Sequence, residues 1–91
     1  MDKLLVIRQS FSCRLNGVLA ERGIEETERL SYLAGLVGVS VYVPRSWLNA
    51  ESVPTSQSLR LLAKRLGVHR EWLISGRGEQ YSEELKRKRR G

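Results

Sequence analysis

The sequence predicts an all-α fold, a compact bundle of four or five short helices, and two observations carry that prediction. Apolar residues recur three times at helical spacing, and each recurrence stops at a glycine. No alternating stretch followed by a two-residue turn competes as a hairpin. The chain has 91 residues. A chain of this length buries roughly 60–65% of its unfolded surface, enough for one core and no second domain.

The first helix is expected over about residues 12–22. Phe11, Leu15, Val18 and Leu19 lay one apolar stripe along it, with Ser10 as the cap and Gly23 as the stop. Residues 1–9 read two ways. Leu4, Leu5, Val6 and Ile7 can form a strand that pairs with a partner chain. Leu4 and Ile7 also continue the stripe of Phe11 backwards, so an ordered arm or helical extension is the favoured reading. Leu30, Leu33, Ala34 and Val37 mark a second helix ended by Gly38. Leu59, Leu62, Ala63 and Leu66 mark another, ended by Gly67, with Thr55 or Ser56 as its cap. A short helix over 70–75 carries Trp72 and Leu73, and Ser82 is placed to cap one more within 79–91. The core of the chain spans 10–79, and 80–91 is a basic C-terminal tail.

Charge is unevenly distributed. Of sixteen basic residues, five lie in Lys86-Arg87-Lys88-Arg89-Arg90, and the remaining eleven nearly balance the ten acids. A basic block suits a polyanionic partner and equally a solvated tail. The longest apolar run, Leu4 to Ile7, is too short for a membrane span or a signal-peptide core. One cysteine, Cys13, forms no internal disulfide and suits a reducing, cytoplasmic setting. No carboxylate pair, nucleophile–base set or ligand cluster is present, so neither an enzyme nor a metal or cofactor is expected. His69 has no second ligand nearby and reads as a cap or surface residue.

An internal echo directs the functional reading. Leu33 to Val39, LAGLVGV, and Leu62 to Val68, LAKRLGV, share Leu-Ala and Gly-Val at the same spacing. After Val39 there are eight residues to Trp47, enough for a second two-turn helix; after Val68 only four lead to Trp72. The first copy is therefore the candidate for two tightly crossed helices, with Leu33, Val37, Val39 and Trp47 inward, Ala34 at the crossing and Gly38 in the turn. Together with WLNAESVP and SLRLLAKRLGVHREWLISGRGE in order, this pattern resembles the lambda-type repressor and Cro family of helix-turn-helix regulators over residues 10–79.

The resemblance implies a sequence-specific transcriptional regulator, a phage or bacterial repressor, that binds a palindromic operator on double-stranded DNA as a homodimer. It places Val41, Tyr42, Val43, Arg45 and Ser46 at base edges in the major groove, and Arg29, Ser40, Asn49, Ser52 and Thr55 along the phosphate backbone. Arg45 suits guanine, and Val41 or Val43 a thymine methyl. An antitoxin with a toxin or other regulator protein as partner is the alternative within DNA binders; a protein-interaction module that has lost DNA is the alternative outside them.

Several positions depart from the family. Arg29 and Leu30 stand where glutamine or threonine is usual, and Arg29 can hold phosphate or pair with Glu25 or Glu26. Ala50 replaces the glycine of the exit loop. Pro44 replaces a buried isoleucine or valine. Counted from a Ser40 cap it is the fourth helical residue, the first whose N–H the helix would use, and a mid-helix proline costs roughly 3 kcal/mol. The expectation is a late, short reading helix over 44–49, with 41–43 as an extended lead-in.

Overall fold

The computed structural model describes residues 2–82. Five helices follow in order: α1 (Lys3–Glu21), α2 (Arg29–Val37), α3 (Tyr42–Leu48), α4 (Ser56–Leu66) and α5 (Arg70–Ser75). A 3₁₀ turn, Glu26–Glu28, leads into α2. The all-α bundle is thus as the apolar periodicity predicts. α1 packs on α3 and α5, α2 packs on α3 and α4, and α4 packs on α5.

α1 resolves the ambiguity of the first nine residues in favour of the helical extension. The Asp2 carboxylate accepts the Leu4 N–H at 3.0 Å and caps the helix at Lys3. Ser10, expected as the cap, lies inside the helix. The physical reason is propagation: once nucleated, a helix adds residues at little cost, and nothing between Leu4 and Phe11 breaks it.

The repeated Leu-Ala…Gly-Val segments fold alike. Gly38 and Gly67 adopt left-handed angles, φ 78° and 70°, and close the ends of α2 and α4. In each case the following valine reaches back to the alanine carbonyl, Val39 to Ala34 at 3.1 Å and Val68 to Ala63 at 3.0 Å. This is the six-to-one bond of a glycine-terminated helix. The Thr55 hydroxyl caps α4 by accepting from the Ser58 N–H at 3.2 Å, settling the choice between Thr55 and Ser56.

Phe11, Leu15, Leu19, Leu33, Leu62, Leu66 and Leu73 are fully buried around Trp47. Val37 and Trp72 are half-buried at the edge of this core. Beyond α5 the chain returns alongside residues 67–69. His69 N–H donates to Gln80 O at 2.9 Å, and Ser82 N–H to Gly67 O at 2.9 Å. Ser82, expected as a helix cap, is engaged in that pairing, and the helix expected after it lies outside the described residues.

Polar side chains of α1 tie the ends of the other helices. Ser12 Oγ donates to Leu48 O at 2.8 Å, at the end of α3. Arg14 donates from Nε to Leu73 O at 2.9 Å and from Nη2 to Ile74 O at 2.8 Å, at the end of α5. Arg22, just beyond α1, donates to Leu66 O, at the end of α4. Burial pushes the Arg14 guanidinium below its ordinary value, and an arginine remains charged in proteins all the same.

The loop after α3 turns at Ala50, among the described residues the one non-glycine with positive φ, 60°. That conformation costs a residue with a Cβ about 1–2 kcal/mol. Ala50→Gly is therefore expected to raise stability by about 0.5–1 kcal/mol, the relief being partly offset by a more disordered unfolded chain. Gly38→Ala is the counterpart. A Cβ at Gly38 meets no atom within 4 Å, so the loss of about 1 kcal/mol comes from backbone angles alone. Urea unfolding of both variants checks the opposite signs.

Candidate nucleic-acid interface

α2 and α3 are joined by a four-residue turn, and α3 is the shorter helix, seven residues. Its start corrects the expectation set by Pro44. Val41 already has helical angles, φ −62° and ψ −22°, and its carbonyl accepts the Arg45 N–H at 3.1 Å. Residues 41–43 are thus the first turn of the helix, and no extended lead-in precedes it. Ser40, expected as the cap, makes no capping bond through its side chain; its carbonyl accepts the Val43 N–H at 3.1 Å.

This start explains how proline is accommodated. With Val41 as the half-helical flank, Pro44 is the third helical residue. The first intrahelical N–H belongs to the next residue, Arg45, so the N–H that proline lacks is one the helix never uses. The ring is fully buried beside Trp47 on the inward side of α3. Pro44 therefore serves as core. The preference of Val43 for extended angles before proline is overridden by that packing.

The outward side of α3 carries four of the residues expected at base edges. Tyr42 is 71% exposed, Val41 37% and Val43 38%. Arg45 is exposed, with its guanidinium carbon 5.4 Å from the centre of the Tyr42 ring. A cation over an aromatic face one turn away orients both groups without consuming the donors at the rim of the guanidinium. The arrangement offers donors, a phenol and branched methyl groups on one convex surface.

The other expected contact residues are placed differently. Ser46 is half-buried; its Oγ donates to Val43 O at 2.7 Å and lies 2.6 Å from Ser52 Oγ. These two hydroxyls tie α3 to its exit loop, where the N–H groups of Glu51 and Ser52 also reach Ser46 O. Thr55 Oγ1 is occupied in capping α4. Arg29 donates to Ile24 O and to Asn16 Oδ1, both at 3.0 Å, and so joins α2 to α1 rather than to Glu25 or Glu26. Ser40 and Asn49 remain exposed at the two ends of α3, and Asn49 Nδ2 lies 3.4 Å from Glu51 Oε1.

The electrostatic setting was not evident from the motif. Glu25, Glu26 and Glu28 are exposed just ahead of α2, where negative charge stabilises a helix N-terminus. The same charges repel phosphate from that end. The roles of Arg14 and Arg22 were equally hidden, because an arginine's partner carbonyl lies 44 to 60 residues away in sequence. Among the described residues no group of His, Cys, Asp and Glu is placed to hold a metal, and no helix is long and apolar enough to cross a membrane. No family model matches the sequence, and no curated protein or solved structure matches it significantly.

Arg29 and Arg45 should respond differently to truncation. Arg29→Met removes two bonds from a half-buried cation and is expected to lower the unfolding free energy by about 1–3 kcal/mol. Arg45→Ala removes only a surface contact with Tyr42 and should cost less than about 1 kcal/mol. Chemical denaturation of the two variants separates them.

Proposed function

We propose that this chain is a sequence-specific DNA-binding regulator of transcription that lays α3 in the major groove, as the resemblance to lambda-type repressors implies. The observation that carries the reading is the outward face of α3. Val41, Tyr42, Val43 and Arg45 stand exposed on a helix whose opposite side is anchored by buried Pro44 and Trp47. A rigid helix presenting a guanidinium, a phenol and methyl groups matches what a major groove displays: paired acceptors on guanine and a methyl on thymine.

Phosphate contacts come from elsewhere in this reading. Arg29 is committed to the fold and the approach to α2 is acidic. The basic run Lys86 to Arg90 then supplies most of the charge that releases counterions, a sequence-independent contribution. A homodimer on a palindrome would set half-sites about one helical turn, roughly 34 Å, apart.

The apolar character of the same face supports a second reading, a protein-interaction module. Val41, Tyr42 and Val43 are three consecutive exposed apolar residues, which is uncommon for a surface facing only water and phosphate.

Selection from randomised duplex DNA at two salt concentrations distinguishes the two. Recovery of a palindrome with affinity that falls as salt rises is the expected result; no enrichment at low salt favours the interaction module. In the recovered site, Arg45→Ala should relax preference at one base step by about 1–3 kcal/mol. Removal of residues 86–91 should weaken binding to all sequences alike and flatten the salt dependence, as read by titration across ionic strengths.

A further inference from the structure

The residues that face outward on α3 are not equivalent. A helix turns about 100° per residue, so Arg45 lies about 40° from Val41 and about 60° from Tyr42, between the two and one turn further on. Val43 falls on the far side, about 160° from Arg45. Helical side chains lean toward the N-terminus of their helix. Arg45 does so, with its guanidinium carbon 5.4 Å from the centre of the Tyr42 ring. That contact holds the cation over the first turn, where Val41 is its other neighbour.

Three chemical groups therefore meet at the start of α3: a guanidinium, a phenol ring and an isopropyl group. Val41 is 37% exposed and Tyr42 71%, so both apolar members face outward with the cation. No Asp, Glu, Asn or Gln lies within α3, from Tyr42 to Leu48. The side chains that select the amino group of cytosine or the edge of adenine are thus absent from the helix. What the patch matches in a major groove is the paired acceptors of guanine and a methyl group.

We propose that Val41, Tyr42 and Arg45 read one dinucleotide step, a guanine preceded by a pyrimidine with a methyl at C5, so that binding responds to cytosine methylation. The inference rests on the DNA-binding reading of α3 and sharpens it. Arg45 forks onto N7 and O6 of the guanine, and Val41 packs on the methyl. Spacing makes the two bases neighbours. Residues one turn apart hold their Cβ atoms about 5–6 Å apart, and successive base pairs rise about 3.4 Å. Arg45, leaning back toward Val41, therefore meets the adjacent pair rather than the next but one. A pyrimidine followed by a purine is the step that unstacks most readily, which frees the methyl to meet Val41. Thymine and 5-methylcytosine present that methyl alike, and cytosine lacks it. They differ at position 4, and the Tyr42 hydroxyl, able to donate or accept, excludes neither. The exposed apolar surface of Val41 thereby gains an apolar partner that neither water nor phosphate supplies.

Selection from randomised duplexes with the full chain tests this, using one library built with cytosine and one with 5-methylcytosine. TpG is expected in the first library at the step that Arg45→Ala relaxes, and TpG or CpG in the second. In the recovered duplex, uracil in place of that thymine removes only the methyl. It should weaken binding about fourfold, the weight of one buried apolar carbon. CpG at the same step should gain a similar factor on methylation. Val41→Ala should abolish both differences and keep the guanine preference, while Val43→Ala should retain both. A recovered site without a pyrimidine–guanine step, or equal affinity for uracil and thymine, overturns the inference and leaves α3 a DNA reader. So does a methyl preference that survives Val41→Ala or is lost in Val43→Ala. Recovery of no duplex from either library overturns the DNA-binding reading and this inference together.

Discussion

The arrangement depends on α1 satisfying the backbone ends of its neighbours. Every helix leaves its last four carbonyls without an intrahelical donor, and in helices of six or seven residues those carbonyls are more than half of the total. α1 and the residue that follows it supply the donors: Ser12 to α3, Arg14 to α5 and Arg22, just past the helix, to α4, while Asn16 accepts from Arg29 of α2. These bonds set the rotation and height of each short helix against the long one. The apolar stripe of α1 brings the helices together; the polar residues interleaved with it fix their register.

That constraint reaches the candidate interface directly. α3 is too short to be stable alone, since isolated helices below about a dozen residues are marginal in water. It is held at its end by Ser12 and along its inner side by Trp47 and Pro44, and its exit is closed by the Ser46–Ser52 pair. The strain at Ala50 is tolerated because the loop must reverse there for Pro54 to bury itself ahead of α4. A helix fixed on three sides leaves only its outer surface unspoken for, and that surface carries Val41, Tyr42, Val43 and Arg45.

Some of the basic residues are taken up by the fold. Arg14, Arg22 and Arg29 hold main-chain carbonyls and contribute to the fold. Arg45, and Arg60, Lys64 and Arg65 of α4, are exposed. A count of charges therefore overstates what the body of the domain offers a polyanion. The acids ahead of α2 act in the same direction, stabilising that helix through its dipole while turning phosphate away.

The sequence by itself determined the bundle. Apolar spacing at 3.6 residues, glycines at Gly23, Gly38 and Gly67, and the Thr-Ser start of α4 are local signals, each contained within one or two helical turns. It also determined which short stretch would present an outward face, because Trp47 marks the inner side of α3. What tertiary structure decided is where α3 starts, where α1 starts, and which polar side chains are spent. Local preference placed Val41 to Val43 in an extended lead-in. Burial of the Pro44 ring moved the helix start to Tyr42, because packing outweighs the preference of one residue before proline. Ser10 has the chemistry of a cap, yet the helix runs through it from Asp2. Ser46, Ser52 and Arg29 have the chemistry of DNA contacts, yet their partners lie within the fold. A hydrogen-bond partner is chosen by proximity in space, and no pattern within one helix records which distant carbonyl will stand beside it.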